Sequence, residues 1–141
     1  MSRTNSKRRR VALASELDWP VRQHYDLIAG IQEYADSQED WLVEVSRYPE
    51  VRMEEGIRFD GIVGRIEPDT LDVAQRTGIP VVNVWMSSPI AGQIHNVQVD
   101  FETAGQMAAE HLIARGLQQF VVVGPRGRIA TKHFTAGSAA V

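Results

Sequence analysis

Residues 96–124, NVQVDFETAGQMAAEHLIARGLQQFVVVG, decide how the rest of the chain is read. They predict a brief strand over Val97–Val99, a helix over Phe101–Arg115, a stop at Gly116 and an apolar strand over Gln119–Gly124. Asp100 stands where a helix N-cap belongs, because a carboxylate there accepts from the free N–H groups of the first turn. Ala104, Met107, Ala108, His111 and Leu112 recur at helical spacing and mark the expected buried face. Strand, helix and strand in that order form the crossover unit of a parallel sheet, which is nearly always right-handed.

Upstream, the same unit repeats. Val11–Ala14 reads as a buried strand, and Asp18, Trp19 and Pro20 as the loop that opens a helix reaching about Ser37. Val21, Tyr25, Ile28, Ile31 and Ala35 form its apolar stripe. Trp41–Ser46 is a second strand, and Pro49–Ile57 is a connection with room for a short helix. Phe59–Ile66 is a third strand, whose Gly61 and Gly64 point to close backbone approach. Asp69–Thr77 is a short helix stopped by Gly78, Pro80–Trp85 a fourth strand, and 86–94 a loop. Strands alternating with helices predict an α/β protein with a mainly parallel, doubly wound sheet. Beyond Gly124 neither helical period nor strand alternation persists, so 125–141 are expected to be poorly ordered.

Composition narrows the classes. With 141 residues, 43% hydrophobic and 23% charged, the chain can bury a sizeable core. Its net charge of −3 argues against a surface that coats nucleic acid, and the basic residues 1–9 read as a solvated tail. The absence of cysteine removes disulfide and thiolate chemistry and fits a reducing cytoplasm, the expected location. No apolar stretch approaches the ~20 residues of a membrane span, and the apolar run after KRRR is too short for a secretion signal.

Ligands in open α/β sheets sit at the carboxyl ends of the strands. Those ends bring Glu16, Asp18, Trp19, Arg22, Ser46, Arg47, Arg65, Glu67, Asn83, Trp85 and Ser87 toward one crevice. Carboxylates and arginines around flat aromatic faces suit a small polyhydroxylated ligand, whose hydroxyls donate and accept and whose C–H face packs on a ring. The structural alternative is that Glu16 and Asp18 are loop residues, Trp19 anchors packing, and Arg65 pairs with Glu67 or Asp69 at the surface. Other chemistries find less support. His24, His95, His111 and His133 lack metal-ligand spacing, and Ser87-Ser88 lacks a nucleophile elbow. The turn at 124–128 has neither Walker nor dinucleotide spacing. No catalytic set emerges, so the expectation is a binding protein without a cofactor or metal, and not an enzyme.

The opening stretch, with Asp100, Gly105, Ala-Ala-Glu-His-Leu and Gly116 before an apolar strand, resembles the lactose-repressor and periplasmic-binding-protein family of two-lobed sugar-responsive domains. RRRVALASE at 8–16, GIQEYA at 30–35, FDGIVGRIE at 59–67 and GIPVVNV at 78–84 look, in that order, like the effector domain of AraC-type xylose-operon regulators. The resemblance implies a type I periplasmic-binding-protein-like domain over 10–124, comprising the first lobe and the first strand of a truncated second lobe. It is lost over 125–141, and truncation or a reading-frame change near Arg128 is the expectation there.

The same resemblance implies a sugar-responsive transcription regulator that lacks its DNA-binding domain. Its effector would be a small sugar, a pentose such as xylose, contacted by Glu16, Trp19, Arg22, Arg65 and Trp85. Asp100 and Phe101 would form the hinge. DNA would be met only through a C-terminal domain, and the full-length protein would be a homodimer, away from membranes. Two other classes share the strand-helix alternation. A transport-associated sugar-binding protein would need an export signal. A flavodoxin-like nucleotide-using enzyme would need a phosphate loop after Ala14, where Glu16 and Asp18 repel phosphate.

Overall fold

The computed structural model describes residues 8–16, 22–38 and 40–141. Two units divide the chain, one ending at Val97 and the other running from Gln98.

In the first unit β1 (Arg9–Ala14), β2 (Trp41–Val45), β3 (Gly61–Gly64) and β4 (Val81–Asn83) form a parallel sheet in the order β2-β1-β3-β4. Helices α1 (Arg22–Gln38), α2 (Pro49–Glu54) and α3 (Pro68–Thr77) make the three crossovers. β1 is central, which is why Val11, Ala12, Leu13 and Ala14 are all buried. Ala12 and Ala14 join Phe59, Ile62, Ile66, Ala74 and Ile90 in one core, with Met53 and Leu71 of α2 and α3 packed against it.

Gly64 explains one of the two expected close approaches. It ends β3 at φ +144°, beside Ala14, and a Cβ there would collide with the Ala14 carbonyl. Gly78 closes α3 in the left-handed conformation, as its position after Thr77 predicts.

The inward face of α1 is rotated from the predicted stripe. His24 and Ala35 are buried, with Leu27, Ile28 and Ile31 partly so, while Tyr25 is exposed. Positions 24, 28, 31 and 35 keep the helical period, and His24 takes the place expected for Tyr25. Leu17–Val21, with the predicted helix start and Trp19, lie outside the described residues.

The predicted strand at Val97–Val99 does not form. Asn96 makes a single parallel bridge to Asn83, with Asn83 N–H donating to His95 O and Val97 N–H to Asn83 O, both at 2.9 Å. β4 is only three residues long and ends at Asn83, so nothing extends the ladder to Val99.

The second unit holds two helices, α4 (Phe101–Ala114) and α5 (Ile129–Ala139). Asp100 caps α4 as predicted, its Oδ1 accepting from Thr103 N–H at 3.0 Å. The buried face of α4 is Gly105 and Ala109, flanked by Ala104, Ala108 and Leu112, whereas Met107 and His111 are exposed. The cause is α5. A Cβ at Gly105 would strike the Phe134 carbonyl, and one at Gly137 the Glu102 carbonyl, so the backbones approach through paired glycines. Ser138 Oγ lies 3.2 Å from Gly105 O and 2.9 Å from Phe134 O.

That helix overturns the expectation that 125–141 are poorly ordered. Small residues on both helices hide the usual apolar stripe while still permitting close packing. The predicted strand at Gln119–Gly124 is also absent, and Val121 and Val123 are 82% and 89% exposed. Among the described residues no strand lies alongside it, and without a neighbour to take its N–H and C=O groups an apolar run does not become a strand.

Candidate functional site

Parallel order sends the carboxyl ends of β1, β2, β3 and β4 to one edge of the sheet, and the loops that leave them line a cavity of 80 Å³. Ala14, Ser15 and Glu16 come from the end of β1, Arg47 and Tyr48 from β2, Arg65 and Glu67 from β3, Trp85 from β4 and His24 from α1.

Asn83 fixes this edge from beneath. It is fully buried, and its Nδ2 donates to Trp85 O at 2.8 Å and to Asn96 Oδ1 at 2.6 Å. Its Oδ1 faces the N–H groups of Ile66 at 3.4 Å and Trp85 at 3.3 Å. The exits from β3 and β4 and the returning segment at Asn96 therefore meet at one amide. Ser88 adds a second tie, its hydroxyl donating to Ile66 O at 2.6 Å. Trp85 is thus held by its own backbone, and its ring meets the buried His24 edge-on, with centroids 4.3 Å apart and planes at 81°.

The charges of the site are paired within it. Glu16 forms an ion pair with Arg47, whose guanidinium also lies 5.1 Å from the centre of the Tyr48 ring. Arg65 Nε meets Glu67 Oε1 at 3.0 Å, and its Nη2 donates to Ser87 O at 3.4 Å. Glu67 stands at the N-cap of α3 without capping it, its carboxylate being turned to Arg65.

Of the residues expected at the strand ends, Glu16, Arg47, Arg65, Glu67 and Trp85 line the cavity together, and three of these, Glu16, Arg65 and Trp85, are among the expected sugar contacts. Arg22 does not line it: its side chain is 92% exposed and lies 3.6 Å from Asp26 one helical turn on, because His24 holds the inward register. Trp19 lies outside the described residues. His24, Tyr48 and Ser15 were missed. The spacing 24, 28, 31, 35 carries the signal for His24, while Tyr48 is marked only by following Arg47 at the end of β2.

Asp100 and Phe101 belong to the other unit. The Asp100 carboxyl is held below the ordinary aspartate range, first by the Thr103 backbone N–H and then by the Thr103 hydroxyl, with His133 adding a smaller attraction. Among the described residues no group of three His, Asp or Glu side chains is placed to hold a metal, and no helix is long and apolar enough to cross a membrane.

The arrangement is that of a periplasmic-binding-protein-like α/β fold with a cavity lined by charged and aromatic side chains at its strand ends. No family model matches the chain. Over 70 residues, 48% of its length, it is 35% identical to catabolite control protein A of Staphylococcus xylosus, of which it covers 21%. Among solved structures, a XylFII–LytSN complex superposes with a TM-score of 0.69 at 20% identity, over 95% of this chain and 54% of that one. A putative LacI transcriptional regulator from Bacillus cereus subsp. cytotoxis gives 0.65 at 19% identity, over 95% and 53%. Transcription regulator CcpA of Lactococcus lactis gives 0.59 at 15%, over 95% and 53%. The chain thus spans about half the length of these solved chains and about a fifth of its curated relative.

Proposed function

We propose that this chain is the ligand-sensing part of a sugar-responsive transcription regulator, with a small sugar, a pentose such as xylose, as effector. The observation that carries this is the cavity at the strand ends, whose lining Trp85 shares with Glu16, Arg47, Arg65 and Glu67. A flat ring beside both donors and acceptors matches a sugar's C–H face and its hydroxyls. The likeness to catabolite control protein A and to LacI-type regulators supports a regulator over an enzyme. The four sequence blocks that resemble AraC-type xylose regulators favour that branch and a pentose.

The cavity of 80 Å³ is well below the roughly 300 Å³ at which enclosed small-molecule pockets begin, so it supplies one wall. Each sugar hydrogen bond contributes a net ~0.5–1.5 kcal/mol, and one wall supports binding only in the millimolar range, about 4 kcal/mol. In a protein that includes both walls, sugar would favour the closed state and reposition the DNA-binding domains of a homodimer. Asp100 and Phe101, just past the unit boundary at Val97, would be the hinge.

The test is a titration of the 141-residue chain with D-xylose, L-arabinose and D-ribose, followed by the Trp85 indole resonance. Saturable, millimolar movement is expected, and Arg65→Ala, which leaves the indole in place, should weaken it. An indole signal indifferent to all three sugars overturns the assignment of the site, and a micromolar constant overturns the one-wall account. For the hinge, Asp100→Ala in the protein joined to its DNA-binding domain should uncouple sugar from DNA binding; unchanged sugar-dependent DNA binding removes that role.

A further inference from the structure

We infer that the strand-end site selects an uncharged ligand and rejects the phosphorylated or acidic form of the same sugar. The inference rests on the sugar reading above and sharpens it. Two arginines in a small cavity would by themselves suit a phosphate or carboxylate. Here neither is available as a free cation. Arg47 is engaged by Glu16 and by the face of Tyr48, and Arg65 by Glu67 and the Ser87 carbonyl.

The exclusion does not depend on strong ion pairs. Side chains of both pairs are between 41% and 50% exposed, and pairs of that kind are individually weak. It depends on where the negative charges sit. An anion approaching either guanidinium comes within contact range of the carboxylate already on it, well inside the ~8 Å over which physiological salt leaves charges unscreened. Among the described residues that line the cavity, the two arginines and two glutamates sum to no net charge, so these side chains offer no field that draws an anion in. A neutral polyol meets a different surface, since carboxylate oxygens accept from its hydroxyls and the remaining guanidinium N–H groups donate to them. The end of β1 adds to this, for Ser15 and Glu16 stand where a phosphate-binding loop would present glycine N–H groups.

Removing the carboxylates should therefore convert the site. The 141-residue chain and the variants Glu16→Gln, Glu67→Gln and the double variant are titrated with D-xylose, D-xylose 5-phosphate and inorganic phosphate, observing the Trp85 indole and heat. The unaltered chain is expected to take the phosphate ester about ten-fold more weakly than xylose, and the double variant to gain about ten-fold in affinity for inorganic phosphate. Circular dichroism melts confirm that each variant folds, and the single variants decide the matter where the double one does not. A phosphate ester bound as tightly as xylose by the unaltered chain, or folded variants with no gain for phosphate, overturns the inference. Failure of the sugar reading looks different: no neutral sugar then moves Trp85, while the phosphate response of the variants still reads the charge pairing.

Discussion

Val11–Ala14 and Phe120–Val123 are apolar runs of equal length, and they meet opposite fates. The first lies between β2 and β3, gives its backbone groups to both, and is almost wholly removed from water. The second has no strand beside it among the described residues, and Val121 and Val123 stay open to solvent. Strand propensity is thus a property of the neighbourhood as much as of the run. In the first unit the neighbours are supplied by short crossovers that return the chain to the same sheet. In the second the chain pairs helix with helix, and glycines replace the apolar stripe as the means of approach.

The contrast can be broken in several places. The largest effect is expected at Gly64→Ala, where a positive φ and the Ala14 carbonyl both oppose a side chain; roughly 3 kcal/mol or more should be lost, read as a lower urea midpoint. In the helical unit Gly137→Ala meets the Glu102 carbonyl and should cost about 1–3 kcal/mol, with α5 amides exchanging faster. If α5 keeps its protection, the close glycine contact does not hold the pair. Val123→Lys should change stability by no more than about 0.5 kcal/mol, because that side chain is already in water. A loss of several times that amount would mean that the segment is a buried strand after all.

The smallest effect concerns pH. Asp100 has a folded-state pKa below its unfolded one, so its contribution is present above the unfolded value of about 3.9 and is lost as pH falls through the lower folded value. The Asp100 carboxyl resonance should titrate below the ordinary aspartate range and move back toward it in Thr103→Val, which removes the hydroxyl donor. An unshifted midpoint in the parent chain would remove the cap from the account of α4.

Where the chain follows strand-helix alternation, composition and period were enough to place β1 through β4, the stop at Gly78 and the cap at Asp100. They were enough because each of these is decided within a few neighbouring residues: alternation of apolar runs, a glycine after a helix, a carboxylate before one. The misplaced features are those decided by residues distant in sequence. Whether Phe120–Val123 is a strand depends on the sheet it could join, and the face of α4 depends on a helix whose small residues carry no stripe. The lining of the cavity was legible in part. Glu16, Arg65 and Trp85 follow from the strand ends, whereas His24 required knowing that α1 turns position 24, and neither Arg22 nor Tyr25, toward the sheet.

Asn83 is fully buried, yet the exits of two strands and a returning segment are pinned to its one side chain. The frame of the cavity is therefore separable from the side chains that line it. Side chains lining the cavity can be exchanged while the frame that aims them stays in place. Loss of the amide itself would loosen the exits of both strands together.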